Sequence, residues 1–141
     1  MRFHEFYTGQ TFTTKSIRLT QEDITSFAAE FDPQYMHVDE TKAAQGRFKG
    51  IIASGIQTMA LSFKLWVETG VYGDDIIAGT AMDHIRFIKP VYPGDELHTV
   101  VEVTNLREKA NETGLVTVFL RTYNERQDKV FEGELTVLVK L

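Results

Sequence analysis

The stretch from Gly55 to Thr69 limits what this chain can fold into. Ile56, Met59, Ala60, Phe63 and Val67 recur at helical spacing and form one face, while Leu61, Leu65 and Trp66 carry apolar surface around most of the cylinder. Only Gln57, Thr58, Ser62, Lys64 and Glu68 are polar, and Gly70 stands where a left-handed residue closes a helix. A helix that is apolar nearly all round has to be enclosed by other structure. It is about 22 Å long at 1.5 Å per residue, the width of a sheet about five strands across.

The rest of the chain supplies such a sheet. Ile76–Ile88, Leu97–Leu106, Leu115–Tyr123 and Lys129–Leu141 read as strands. They are separated by a turn around Pro90 and Pro93-Gly94-Asp95, a loop over Glu108–Gly114 and a hairpin turn over Asn124–Asp128. Upstream, Thr11–Thr20 reads as a further strand. Thr20 then caps a helix with acids in its first turn, and Ile24, Phe27, Ala28 and Phe31 line its apolar side. Asp32-Pro33 ends that helix, because a residue before proline avoids the helical region. Pro33–Ser54 is irregular. Within it Asp39 caps a short helix containing Thr41–Ala44, and a small loop, Gln45–Gly50, carries Arg47 and Lys49. Sequential strands with short turns predict an antiparallel meander. The expectation is an α+β single domain over residues 1–141, with one wide antiparallel sheet wrapped around the long helix, the hot-dog fold. Its free edges need covering, and a second copy in a homodimer would cover them.

Composition removes whole classes of function. A chain of 141 residues is one domain by length. With no cysteine, disulfides, thiolate metal sites and a cysteine nucleophile are excluded. The net charge of -5 is the reverse of what a nucleic-acid binder carries. No stretch reaches the roughly 18 apolar residues of a membrane span. The opening segment MRFHEFYTGQ has no apolar run behind its basic residue, so no secretory signal is read and the cytoplasm is the expected location. His4, His84 and His98 lack metal-ligand spacing with one another, so no metal is expected.

The segment Phe31-Asp32-Pro33-Gln34-Tyr35-Met36-His37-Val38-Asp39 carries the chemistry. If the loop curls, Asp32 and His37 converge on one water. A carboxylate and an imidazole sharing a water make a general acid/base pair, one group removing a proton from water while the other delivers one to carbon. Asp32 would be more useful with a pKa raised by partial burial beside Phe31 and the second helix. Ala53-Ser54-Gly55 opens the long helix, where free N–H groups and positive partial charge gather. Gly55 would let a ligand carbonyl approach the backbone, making an oxyanion hole if that carbonyl becomes an enolate. Ser54 either caps the helix or orients a site side chain. Asp39 reads as a cap. Arg47 and Lys49 read as a solvated loop, with the phosphates of a carrier as the alternative. Met59, Phe63 and Trp66 read as core before they read as an acyl pocket.

Three segments, FDPQYMHVDETKAA, IIASGIQTMAL and IRFIKPVYPGDEL, resemble the MaoC-like dehydratases, which include the (R)-specific enoyl-CoA hydratases. The similarity runs from about Phe12 to Leu141. It implies a hot-dog fold, usually dimeric, acting without a cofactor on acyl thioesters of coenzyme A or acyl carrier protein. By motif match, Asp32 and His37 take the water-activating pair and Gly55 the backbone donor to the thioester carbonyl. Two positions depart from the family pattern. The hydratase signature reads Asp-x-Asn-Pro before its histidine, where this chain has Asp32-Pro33-Gln34-Tyr35. Relatives often have His-Gly at the helix start, where this chain has Ser54-Gly55. The expected activity is interconversion of 2-enoyl and 3-hydroxyacyl thioesters. The alternatives are an acyl thioesterase on the same fold or a non-catalytic acyl-thioester binding protein.

Overall fold

A computed structural model describes residues 1–141. In chain order, two short strands, β1 (Thr11–Thr13) and β2 (Ile17–Arg18), precede helix α1 (Gln21–Phe31). Two one-turn helices follow, α2 (Tyr35–Val38) and α3 (Glu40–Ala44), and then the long helix α4 (Gly55–Glu68). Four long strands close the chain: β3 (Ile76–Phe87), β4 (Glu96–Lys109), β5 (Thr113–Tyr123) and β6 (Lys129–Lys140).

The sheet runs β1-β4-β5-β6-β3, with β2 pairing further along β4. Every pairing is antiparallel, and the sheet is five strands wide, as the length of α4 predicts. β4, β5 and β6 form the expected meander. β3 does not pair with β4 as chain order suggests; it lies beyond β6, with Ile76 opposite Val139 and Phe87 opposite Phe131. The β3–β4 connection therefore crosses the end of the sheet, and Val91 within it accepts a hydrogen bond from Ala53 N at 2.8 Å. That crossing lays the connection against the start of α4. The single strand expected over Thr11–Thr20 is broken at Thr14, whose hydroxyl accepts from Thr99 N while its own N–H bonds Thr99 O.

Alternation places the core. Leu97, Val101 and Val103 of β4, Val116, Val118 and Leu120 of β5, and Phe131, Val137 and Val139 of β6 point inward and are buried. α4 lies against this face with Trp66 and Leu65 fully buried. The helix is rotated from the expected setting. Its inward face holds Thr58, Ser62, Leu65 and Trp66, while Ile56, Phe63 and Val67 are exposed on the chain. Hydroxyl bonding accounts for the rotation: Ser62 Oγ meets Thr122 Oγ1 and donates to Thr58 O, and Thr122 Oγ1 meets Thr99 Oγ1 at 2.7 Å. Small hydroxyl side chains let the helix approach the sheet, and Ser62, Thr99 and Thr122 find their partners there.

Thr20 caps α1 as read, accepting from Asp23 N at 3.1 Å, and Asp39 caps α3 by accepting from Lys42 N at 3.0 Å. Ile24 and Ala28 are buried, but Phe31 at the end of α1 is 63% exposed, its ring against that of Phe27. β4 runs on to Lys109, so the expected loop shrinks to a turn with Asn111 and Glu112 at positive φ. No helix is long and apolar enough to cross a membrane.

Candidate active site

The site begins where α1 stops. Asp32 leaves the helix at φ -156° and ψ 69°, its N–H still donating to Ala28 O, because Pro33 cannot continue the helix. The single turn of α2 then carries His37 back underneath. His37 is buried, and its Nδ1 lies 2.7 Å from Ile52 O. Ile52 N in turn donates to Met36 O at 3.0 Å, so α2 and the strand entering α4 are tied in both directions.

His37 Nε2 lies 3.3 Å from Asp32 Oδ2, which joins the two residues as the sequence predicts. A carbonyl oxygen only accepts, so the Ile52 contact places the ring proton on Nδ1 and leaves the Nε2 lone pair facing Asp32. At that separation no water fits between the two atoms, so a water shared by the pair sits to one side, against both. The carboxylate is held from two further sides. Ser54 Oγ donates to Oδ2 at 2.7 Å and Gln34 Nε2 donates to Oδ1 at 2.8 Å. The Ser54 bond above all keeps the Asp32 carboxyl below its usual pKa; burial pushes the other way and loses, while Gln34 and the charge of His37 act in the lowering direction. The shift runs opposite to the rise that would suit Asp32 to general-acid work. Phe31, the residue expected to shield Asp32, points into solvent.

The start of α4 completes the arrangement. Ile56 N donates to Ser54 Oγ, and Gln57 N and Thr58 N both bond Ser54 O. Gly55 N–H alone among these four has no protein acceptor. Ser54 therefore does both things read from the sequence, capping the helix and holding Asp32. Gly55 and His37 line one cavity of about 320 Å³, closed by Phe48, Phe87, Val91 and Val130. That volume is at the small end for ligand sites. Asp32 is not part of the wall. The glycine has a second reason: a Cβ at Gly55 would sit 2.7 Å from the Phe87 ring.

The four residues singled out from sequence, Asp32, His37, Ser54 and Gly55, meet at this one place. Gln34 and Phe87 were not singled out as site residues. Gln34 was visible as a departure from the family signature, and both departures, Gln34 and Ser54, prove to be hydrogen-bond donors to Asp32. No local signal marks Phe87, because its contact with Gly55 depends on β3 lying beside β6. Arg47 and Lys49 stay exposed and do not line the cavity, although Phe48 between them does.

An antiparallel sheet wrapped around one long helix defines a hot-dog protein, with His37 and the free Gly55 N–H on one cavity. The chain belongs to the MaoC-like family: the MaoC like domain matches residues 5–124. It is 65% identical over 140 residues, 99% of each chain, to Uncharacterized protein YdeM of Bacillus subtilis (strain 168). It is 32% identical over 104 residues to 3-hydroxyacyl-thioester dehydratase Z of Mycobacterium tuberculosis, covering 72% of this chain and 69% of that one. The MaoC-like dehydratase from Rhodospirillum rubrum superposes with a TM-score of 0.90 at 31% identity, covering 99% of this chain and 97% of that one.

Proposed function

We propose that this chain is a lyase that interconverts 2-enoyl and 3-hydroxyacyl thioesters of coenzyme A or acyl carrier protein without a cofactor. The observation that carries the reading is the Nε2 lone pair of His37, 3.3 Å from an ionised Asp32, on the same cavity as the unpaired Gly55 N–H. The thioester carbonyl accepts from Gly55 N–H. The water sits to one side of the pair, donating one proton to His37 Nε2 and the other to Asp32. His37 Nε2 takes a proton from that water as its oxygen bonds C3, and electrons from the C2=C3 bond move onto the carbonyl oxygen. The resulting imidazolium, stabilised by Asp32, returns the proton to C2. Because Asp32 is held ionised, it has no proton to give, so His37 serves as both base and acid. Dehydration runs the same steps backwards.

The family and the Mycobacterium tuberculosis dehydratase support this chemistry. A homodimer fits the surface. β3 is an edge strand of 12 residues, exposed along most of both faces. Beside it Met59, Ala60, Phe63 and Met82 line an open apolar hollow. A long apolar edge of this kind invites pairing with a second copy.

The test is a continuous assay with crotonyl-CoA, following loss of the conjugated enoyl thioester, with a thiol reagent in parallel. Loss of conjugation without thiol release, reduced at least about 10²-fold in His37→Ala and Asp32→Asn, is the expected result. Thiol release would instead identify a thioesterase. Saturable binding of crotonyl-CoA and longer enoyl thioesters with no turnover would identify a binding protein.

A further inference from the structure

An enolate oxygen is best held by two donors, and the backbone at the start of α4 offers one. Ser54 takes up the Ile56, Gln57 and Thr58 N–H groups, which leaves Gly55 N–H as the free donor. The rest of the cavity is largely apolar. Its other polar side chains are His37, committed to Ile52 and Asp32, Lys89, paired with Asp128 at 3.4 Å, and Thr58.

Thr58 is 4% exposed, yet its hydroxyl has no hydrogen bond within the protein. Its neighbour one turn on, Ser62, is tied to Thr122 and to the Thr58 carbonyl, so the buried hydroxyl network passes Thr58 by. The Thr58 hydroxyl is not among the buried polar atoms sealed from solvent, and the residue lines the cavity. Thr58 follows Gly55 by three residues, on the same face of α4. Side chains in a helix lean toward its N-terminus, which tilts Thr58 back over the turn that begins at Gly55. The hydroxyl thus reaches the cavity and has no protein partner, so it is free to donate to whatever occupies the cavity.

We infer that Thr58 Oγ1 is the second donor to the thioester carbonyl oxygen, completing with Gly55 N–H the oxyanion hole of the reaction proposed above. The role rests on that hydratase reading. It makes Thr58 a catalytic residue, because its hydrogen bond strengthens as charge builds on the carbonyl oxygen.

Thr58→Val removes the hydroxyl and keeps the shape; Thr58→Ser keeps the hydroxyl. With crotonyl-CoA or whichever longer enoyl thioester the wild type turns over, Thr58→Val is expected to lower kcat by about 10²-fold or more, with KM changed less than threefold. Thr58→Ser is expected within about fivefold of wild type. The unchanged circular dichroism and thermal midpoint of Thr58→Val would show that the fold is intact. A Thr58→Val enzyme with kcat within threefold of wild type, a loss confined to KM, or an equal loss in Thr58→Ser would overturn the assignment while leaving the hydratase reading standing. A wild-type protein that hydrates no enoyl thioester would overturn the reading and the Thr58 role with it.

Discussion

Ser54 Oγ donates to Asp32 Oδ2 at 2.7 Å, onto the same carboxylate oxygen that faces His37 Nε2 at 3.3 Å. One hydroxyl thus holds the carboxylate of the pair and lowers its pKa, and it also caps the helix that presents Gly55 by accepting from Ile56 N.

Ser54→Ala separates these effects by pH. Loss of the cap is expected to cost about 1 kcal/mol at all pH values. Loss of the bond to Asp32 removes the main cause that holds its pKa down, so the carboxyl of the variant takes up its proton at higher pH than in the wild type. The sign for stability follows. A depressed carboxyl pKa contributes stability above the unfolded value, and that contribution disappears as pH falls through the folded one. The stability gap between wild type and Ser54→Ala should therefore be larger at pH 7 than at pH 3. Denaturant titrations at the two pH values check it; an equal gap at pH 7 and pH 3 contradicts it.

Gly55→Ala should be rescued by a change on another strand. The added Cβ would meet the Phe87 ring at 2.7 Å, and overpacking of this kind costs about 1–3 kcal/mol. Phe87 is 56% exposed and has room to be trimmed. In a double-mutant cycle, Phe87→Ala should recover most of the Gly55→Ala loss in stability, a coupling of at least about 1 kcal/mol. Additive losses would mean that the ring moves aside freely.

Thr122→Val tests the setting of α4. Thr122 Oγ1 meets both Ser62 and Thr99, all three buried. The valine leaves two hydroxyls without their shared partner, at a cost of about 1–3 kcal/mol in chemical denaturation. Ser62→Ala added to Thr122→Val should cost less than it does alone, because the orphaned group is then gone.

Phe63→Lys and Met82→Lys place charges on the apolar hollow between α4 and β3. In light scattering coupled to size exclusion, the wild type should run as a dimer and either variant should shift toward monomer. A wild type that is monomeric at assay concentrations would place the function on the single chain.

Much of this was legible in the residues. The end of α1 at Asp32-Pro33, the caps at Thr20, Asp39 and Ser54, and the turns are local events, decided by residues adjacent in the chain. The meander of β4 to β6 follows from short hairpins. Asp32 and His37 could be paired from sequence because one turn of chain joins them.

What lay beyond the sequence depends on partners far away in it. Helical spacing names the faces of α4 but not the one that turns inward; the hydroxyls of Thr99 and Thr122 on two strands decided that, favouring Ser62 over the larger Phe63. Chain order placed β3 beside β4, whereas its pairing with β6 put Phe87 over Gly55. The direction of the Asp32 pKa shift turned on a serine 22 residues away. Local propensity and periodicity are properties of neighbouring residues and can be read along the chain. Strand order, helix rotation and the charge state of the site arise from contacts between distant segments, and only the tertiary structure brings those together.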